Sequence, residues 1–148
     1  RVLLEGEDPL PLDADPGDLG RPLAEALLAV HRSYLRPVQA LRRHHPVAAL
    51  AHITGCGLVD NVPRILPGDC ALVVDTGAWE VPPLFRLIQE RGGIEETEMR
   101  RVFNLGVGMV LLAEEIPAAT LGELEAPPFA LGVVEERGEG PAVRFQPD

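Results

Sequence analysis

Apolar residues recur along the chain in two patterns, with helical spacing in some segments and as short unbroken runs in others. Helical spacing between residues 19 and 32 predicts an amphipathic helix. Unbroken apolar runs bounded by proline or glycine predict buried strands at 47–54, 70–75 and 107–113. Because the two patterns alternate, the chain is expected to pack helices against a sheet.

Proline and glycine mark the ends of the other elements. They predict helices at 37–44, 58–66, 82–91 and 95–102, and a weak helix at 117–125. Two short apolar runs, 129–135 and 142–145, flank the glycine-containing residues 137–140 and predict a hairpin. The acidic, proline-rich residues 1–18 predict a connector lying over the surface. The expected fold is a single α+β domain with a mixed β-sheet covered by helices, a layered α/β/α sandwich of partial ferredoxin-like topology.

Composition narrows the possible functions. The chain has 148 residues, of which 46% are hydrophobic, which is enough for a packed core in one domain. A net charge of −10 argues against nucleic acid as a partner, because phosphate backbones are bound by clustered basic residues. The apolar runs are strand-sized, so no membrane helix is expected. Two cysteines, Cys56 and Cys70, predict free thiols in a reducing cytoplasm.

The first segment that can carry chemistry is a glycine-containing turn between a predicted strand and a predicted helix, HITGCGLVDN at 52–61. Glycines at such a turn let backbone N–H groups approach an anion closely. We therefore expect phosphate binding by Thr54, Gly55 and Gly57, and acid, base or orienting roles for the polar residues around them. Those polar residues are His52, Asp60 and Asn61. Sterics alone also explain glycine at this turn, and the spacing matches neither a Rossmann nor a P-loop motif.

The second segment is FNLGVGM at 103–109, in which glycines precede a strand. Asn104 can donate its amide to a phosphate or ribose, with Gly106 and Gly108 giving access to the backbone. The structural alternative is a helix C-cap at Gly106 and an ordinary turn role for Asn104. Outside the two segments, His31 is interpreted as a surface residue near a helix C-terminus. Tyr34 is interpreted either as facing a ligand or as part of an exposed loop.

Three stretches together resemble a known family. HITGCGLVDNVPRILP at 52–67, PPLFRLIQERGGIEETEMRRVFNLGVGMVL at 82–111 and LLAVHRSYLRPV at 27–38 are similar to phosphoribosylformylglycinamidine cyclo-ligase, also called aminoimidazole ribonucleotide synthetase. The resemblance covers roughly residues 1–114. It favours the functional interpretation of both glycine segments over the structural one.

The resemblance implies that this chain is the C-terminal domain of a two-domain enzyme of purine biosynthesis. Such an enzyme converts formylglycinamidine ribonucleotide and ATP to aminoimidazole ribonucleotide, ADP and phosphate. It implies that a missing N-terminal domain holds most of the Mg²⁺ and ATP and forms a cytoplasmic homodimer, so that this half alone is inactive. RVLLE at 1–5 fits this expectation, as the end of a helix whose beginning is missing. No metal ligand is expected in this chain.

By the same resemblance, the motif histidine is His52 and the acidic–Asn pair is Asp60 and Asn61. The binding residues are Thr54, Gly55 and Gly57 in the first segment and Asn104, Gly106 and Gly108 in the second. Which segment meets ATP and which meets the ribonucleotide stays open.

Two departures from the family pattern keep alternatives open. Cys56 stands where family members usually carry glycine, and the expected helix near 116–125 is short. If residue 56 needs a positive φ, cysteine costs on the order of 1 kcal/mol there. One alternative is another ATP-dependent enzyme of the superfamily, of the selenophosphate synthetase, hydrogenase-maturation dehydratase or thiamine-phosphate kinase type. The other is a non-catalytic binding domain on the same scaffold.

Overall fold

The computed structural model describes residues 1–5, 8–114, 116–117, 120–121, 124 and 128–146. Five helices and five strands are described there, together with a 3-10 turn at Val62–Arg64 that continues α3. The helices are α1 Leu23–Leu27, α2 Leu35–His44, α3 Gly57–Asn61, α4 Pro83–Gly92 and α5 Glu96–Val102. The strands are β1 Val47–His52, β2 Cys70–Asp75, β3 Met109–Ala113, β4 Gly132–Glu136 and β5 Val143–Gln146.

The strands form two sheets, and the α+β class predicted from the sequence is confirmed. β1 pairs with β3 antiparallel, with His52 opposite Met109 at the end next to both glycine segments. The second sheet has the order β4-β2-β5, in which β4 runs antiparallel and β5 parallel to β2. The predicted mixed sheet is this three-stranded one, whereas the separation of β1 and β3 into their own sheet was not predicted.

The predicted C-terminal hairpin is wrong, because β4 and β5 lie on opposite sides of β2 and do not pair with each other. The connection between them crosses the start of β2, where the Arg137 amide donates to the Asp69 carbonyl at 2.7 Å. The physical reason lies in β2, whose residues 71–74 are all buried. A strand buried on both faces needs partners on both edges to satisfy its backbone groups, so it separates the two later strands.

The predicted helix at 19–32 is also wrong in length. α1 ends at Leu27, and the apolar residues beyond it are left in solvent, with Leu28 81% and Val30 96% exposed. Apolar residues at helical spacing do not by themselves form a helix, because a short helix is stable only where its apolar face packs against a neighbouring surface. The other predicted helices and strands are found with ends shifted by at most a few residues, and β2 has the predicted bounds. The predicted helix at 117–125 falls largely outside the described residues.

Two apolar cores hold the elements together. The larger one joins β1, β2, β3, β5 and α3, and its members include Ile53, Leu58, Val74 and Val110. The smaller one packs Leu3 from the N-terminal segment against Leu23 and Leu87. The predicted connector is therefore anchored to the domain by a buried leucine. Among the described residues, no helix has the length and apolar character needed to span a bilayer.

Candidate active site

The two glycine segments lie side by side at one end of the β1–β3 sheet. We call residues 54–57 the first loop and residues 104–108 the second loop. The Ile53 amide, just before the first loop, donates to the Gly108 carbonyl at 2.9 Å. The Asn104 side-chain amide contacts the Ile53 carbonyl at 3.5 Å. Segments 51 residues apart in sequence are thus joined directly, because β1 and β3 are paired where both loops begin or end.

The inner end of the first loop is closely packed. Gly57 has φ +55°, and a Cβ there would lie 2.1 Å from the Arg100 carbonyl oxygen and 2.7 Å from that of Phe103. No side chain fits at that distance from backbone atoms. Gly57 therefore lets α3 approach α5, as the structural interpretation of this glycine requires.

The outer end of the first loop is open. A Cβ on Gly55 would meet no heavy atom of the described residues within 4 Å, and the φ of Gly55 is not positive. Thr54 and Cys56 beside it are exposed. Neither packing among the described residues nor a positive φ requires glycine at position 55, and the backbone there is open to solvent.

Cys56 occupies the left-handed region, with φ +74° and ψ +7°, and caps the N-terminus of α3. A non-glycine residue in this region carries a cost of roughly 1–2 kcal/mol. Position 56 thus has the backbone conformation that favours glycine, as the resemblance led us to expect for this position. The first loop keeps its turn despite cysteine, because the bonds described next hold the backbone on both sides of it.

Asn61 is the residue that holds the first loop in shape. Its side chain is buried, and its amide donates to the Gly55 carbonyl at 3.0 Å and to the Gly57 carbonyl at 2.8 Å. Both amide hydrogens are used inside the protein, so Asn61 supports the loop that a ligand would contact. Asp60, its neighbour, is exposed on the outer side of α3.

The second loop is a tight turn that its own side chains stabilise. The Val107 amide donates to the Asn104 carbonyl at 2.9 Å. Leu105 has φ +49° and Gly106 has φ +98°, and two successive positive φ values are typical of type I′ turns. The Asn104 carboxamide oxygen accepts from the Gly106 amide at 3.1 Å. Asn104 therefore fixes its own turn in addition to contacting the first loop.

Both glycines of the second loop are covered by side chains. A Cβ on Gly106 would lie 2.7 Å from the Pro82 ring, and one on Gly108 would lie 1.9 Å from the Tyr34 hydroxyl. Trp79 adds a hydrogen bond from its indole nitrogen to the Leu105 carbonyl at 2.9 Å. Packing thus accounts for both glycines, in contrast to Gly55.

His52 lies in a cluster of three rings that we call the three-ring cluster, formed by His31, Tyr34 and His52. The His31 Nε2 and His52 Nε2 atoms are 3.0 Å apart, a hydrogen-bond distance. Tyr34 lies against both rings, with centroid distances of 6.1 Å to His31 and 6.2 Å to His52. The sequence analysis placed His31 near a helix C-terminus. This prediction is wrong, because α1 ends at Leu27 and α2 begins at Leu35.

The three-ring cluster borders an open groove of about 360 Å³ on the outer face of the β1–β3 sheet. Its remaining walls are apolar apart from Arg32 and come from Leu35, Val38, Leu50 and Met109. A second, narrower cavity of about 90 Å³ lies beside Trp79, Arg100, Phe103 and Asn104. Small-molecule sites measure about 300–1,000 Å³, so of these two spaces the groove is the one whose volume falls in that range.

A positive charge stands near the first loop. Arg101 of α5 donates to the Glu98 carboxylate at 3.0 and 3.2 Å, which raises the pKa of the guanidinium, with smaller contributions from Asp60 and Cys56. Arg101 is exposed and therefore screened by solvent. Within the described part of the chain, no three His, Cys, Asp or Glu side chains are grouped closely enough to hold a metal ion.

Comparison with known proteins identifies the family. Residues 3–143 match the model of the AIR synthase related protein family, C-terminal domain. This chain belongs to that family.

Curated relatives of this AIR synthase related domain carry one name, phosphoribosylformylglycinamidine cyclo-ligase. The protein of that name from Citrifermentans bemidjiense is 50% identical over 103 residues, which are 70% of this chain and 29% of the relative. The Bacillus cereus protein is 42% identical over 124 residues, which are 84% of this chain and 36% of the relative. The Bacillus thuringiensis protein is 40% identical over 139 residues, which are 94% of this chain and 37% of the relative. The chain thus spans about a third of the length of the curated relatives it matches.

The AIR synthase related domain brings most of the residues predicted from its sequence to one end of a sheet. His52, Thr54 and Gly55 face solvent there, while Asn61 and Asn104 hold the two loops in place. The sequence did not indicate that His31 pairs with His52. The spacing of His31 and Tyr34, three residues apart before a predicted helix, carried no such signal, since their meeting depends on how the segment 28–34 folds over β1.

Proposed function

We propose that this chain is the C-terminal half of an ATP-dependent cyclo-ligase that converts formylglycinamidine ribonucleotide to aminoimidazole ribonucleotide, ADP and phosphate. The observation that carries the proposal is the contact between the two loops, with His52 at the end of β1 beside them. The name shared by the relatives selects this reaction among those that such a site can support.

In this proposal the outer end of the first loop binds a phosphate of the ligand. Thr54 offers a hydroxyl and Gly55 a backbone that nothing covers. α3 is only five residues long, so the helix dipole adds little and the backbone N–H groups of the loop supply most of the attraction.

His52 is proposed as the acid or base of the ring closure. An imidazole exchanges protons near neutral pH, and ring closure requires the attacking amidine nitrogen to lose a proton. His52 is exposed at the mouth of the groove, where such a substrate atom can reach it. Asp60 is proposed to orient the ligand beside the first loop. Asn61 and Asn104 are proposed to act indirectly, by holding the two loops in position through their hydrogen bonds.

ATP and Mg²⁺ are proposed to bind mainly outside this chain. The described residues offer no carboxylate cluster for Mg²⁺, whereas Thr54, Gly55 and the second loop offer donors for a phosphate. When bound, ATP supplies the phosphoryl group that turns the formyl oxygen into a leaving group. We therefore expect this chain alone to be inactive, with the remaining two thirds of the enzyme holding the nucleotide in a cytoplasmic homodimer.

The test is ADP release by the full-length enzyme, measured with and without formylglycinamidine ribonucleotide. We expect release that depends on the ribonucleotide, and a fall of about 10²–10⁴-fold in kcat for His52→Ala, the range for loss of an acid–base group. His44→Ala is the matched control, because His44 is an exposed histidine of α2 that does not line the groove. Its kcat is expected to equal that of the wild type.

Either of two results would contradict the proposal. ADP release independent of the ribonucleotide would point to another ATP-dependent reaction. Ligand binding without any turnover in the full-length wild type would indicate a binding domain that has kept the scaffold.

A further inference from the structure

We infer that His31 is a positioning residue that fixes the orientation of His52 and couples the tautomer of His52 to its own. The geometric basis is the 3.0 Å separation of the two Nε2 atoms. The pairing of the two rings is independent of the proposed function. The effect of His31 on the reaction rests on the proposed function.

A hydrogen bond between two neutral imidazoles couples their tautomers. Only one proton fits between the two Nε2 atoms, so one ring carries its proton on Nε2 and the other carries it on Nδ1. The rings must therefore hold complementary tautomers. Because Nε2 of His52 is engaged by His31, Nδ1 is the nitrogen of His52 left for a substrate atom.

Tyr34 limits the freedom of both rings. Its ring lies edge-on to His31, at an interplanar angle of 67°, and tilted by 57° to His52. Its hydroxyl lies above Gly108, where the absence of a side chain makes room for it. Among the described residues that line the groove, Arg32 is the one ionisable side chain outside the cluster. The orientation of His52 thus depends on residues from three segments: the 28–34 segment, β1 and the second loop.

This arrangement suits a group that acts in proton transfer. An isolated exposed histidine rotates about both side-chain torsions and samples both tautomers. A histidine held by a partner presents one nitrogen in one direction, as the orienting partner of a catalytic histidine does in hydrolases. His31 acts on the reaction through His52 and is not expected to touch the substrate.

The first test is nuclear magnetic resonance of the 148-residue chain, using the nitrogen-15 shifts of the histidine rings at about pH 8.5, two units above the ordinary histidine pKa. The chain has four histidines, which keeps the spectrum simple. We expect the tautomer populations of His31 and His52 to be complementary in the wild type. We expect the tautomer ratio of His52 to move to that of a free imidazole in His31→Ala, and away from it again in His31→Gln, whose amide can replace the contact. His44→Gln is the matched control and leaves His52 unchanged.

The second test measures kcat and KM of the full-length enzyme. His31→Ala is expected to lower kcat about threefold to tenfold, the value of one hydrogen bond, while KM for the ribonucleotide changes less than twofold. His31→Gln restores kcat. A His52 ring spectrum identical in wild type and His31→Ala would overturn the inference. So would a kcat of His31→Ala equal to that of the wild type, provided that His52→Ala lowers kcat. If the wild type lacks ribonucleotide-dependent ADP release, the proposed function fails, and the ring spectra alone decide the pairing.

Discussion

The two glycine loops look alike in sequence but differ in what surrounds their glycines. In the second loop, Pro82 covers Gly106 and the Tyr34 hydroxyl covers Gly108, so internal packing requires both. In the first loop, Gly57 is required by packing in the same way, whereas Gly55 faces open space. A glycine required by packing says nothing about a ligand. An open glycine leaves room for one, and Gly55 differs from the equally open Gly68 in lying beside His52 and Thr54.

This difference indicates separate roles for the two loops. The second loop and the inner end of the first are framework, held by Asn61 and Asn104 through carbonyl and amide groups of the backbone. The outer end of the first loop, with Thr54 and Gly55, is the part free to contact a ligand beside His52. Alanine substitution of each glycine tests this division, because a Cβ probes the space directly.

The largest effect is expected for Gly57→Ala. Its Cβ would meet two backbone carbonyl oxygens that cannot move without displacing α5, and its φ of +55° adds the cost of the left-handed region. We expect a loss of about 3–5 kcal/mol in the free energy of unfolding, measured by denaturant titration.

Gly93→Ala is the matched control for that experiment. Gly93 has the same φ of +55° at the C-cap of α4, but a Cβ there would meet no heavy atom of the described residues within 4 Å. It should therefore lose only the conformational part, about 1 kcal/mol. Equal losses for the two variants would show that packing does not explain Gly57.

A smaller effect is expected for Gly108→Ala. Its Cβ would lie 1.9 Å from the Tyr34 hydroxyl, which is the end of a half-buried side chain and can swing away. We expect a loss of about 1–2 kcal/mol in unfolding free energy, because the relief is incomplete. In a Tyr34→Ala background the same substitution should cost little, so a double-mutant cycle should give a coupling of about 1 kcal/mol. Additive effects would contradict the assigned contact.

Sequence patterns predicted the elements that local chemistry determines. The unbroken apolar run of β2 and the proline and glycine boundaries of α4 fixed those elements to within a residue. The patterns failed to predict strand pairing where it depends on residues distant in sequence. The hairpin was predicted from two neighbouring runs and a turn, but the need of β2 for partners on both edges separates them.

The candidate site shows the same limit. The motif residues of both loops were identified from the sequence, and pairing of β1 with β3 explains why they meet. The sequence left open whether Asn61 orients the loop or contacts the substrate, since a side chain that bonds nearby backbone and one that binds a ligand cannot be told apart by residue type. The pairing of His31 with His52 depends on the path of the segment 28–34, most of which the helical spacing wrongly assigned to a helix.

The smallest effect on stability is expected for Gly55→Ala, which is also the sharpest test of the comparison. A methyl group there enters open space at an ordinary φ, so the unfolding free energy should change by less than about 0.5 kcal/mol. Gly68→Ala is the matched control, because Gly68 is equally exposed, equally open and without a positive φ. If the first loop binds phosphate through its backbone, Gly55→Ala should lower kcat/KM of the full-length enzyme about tenfold or more, since a methyl group blocks the close approach that the N–H bonds need, whereas Gly68→Ala should leave it unchanged. Equal kcat/KM for the two variants would mean that the open end of the first loop is not where the ligand binds, and the division between framework and contact surface would have to be drawn elsewhere.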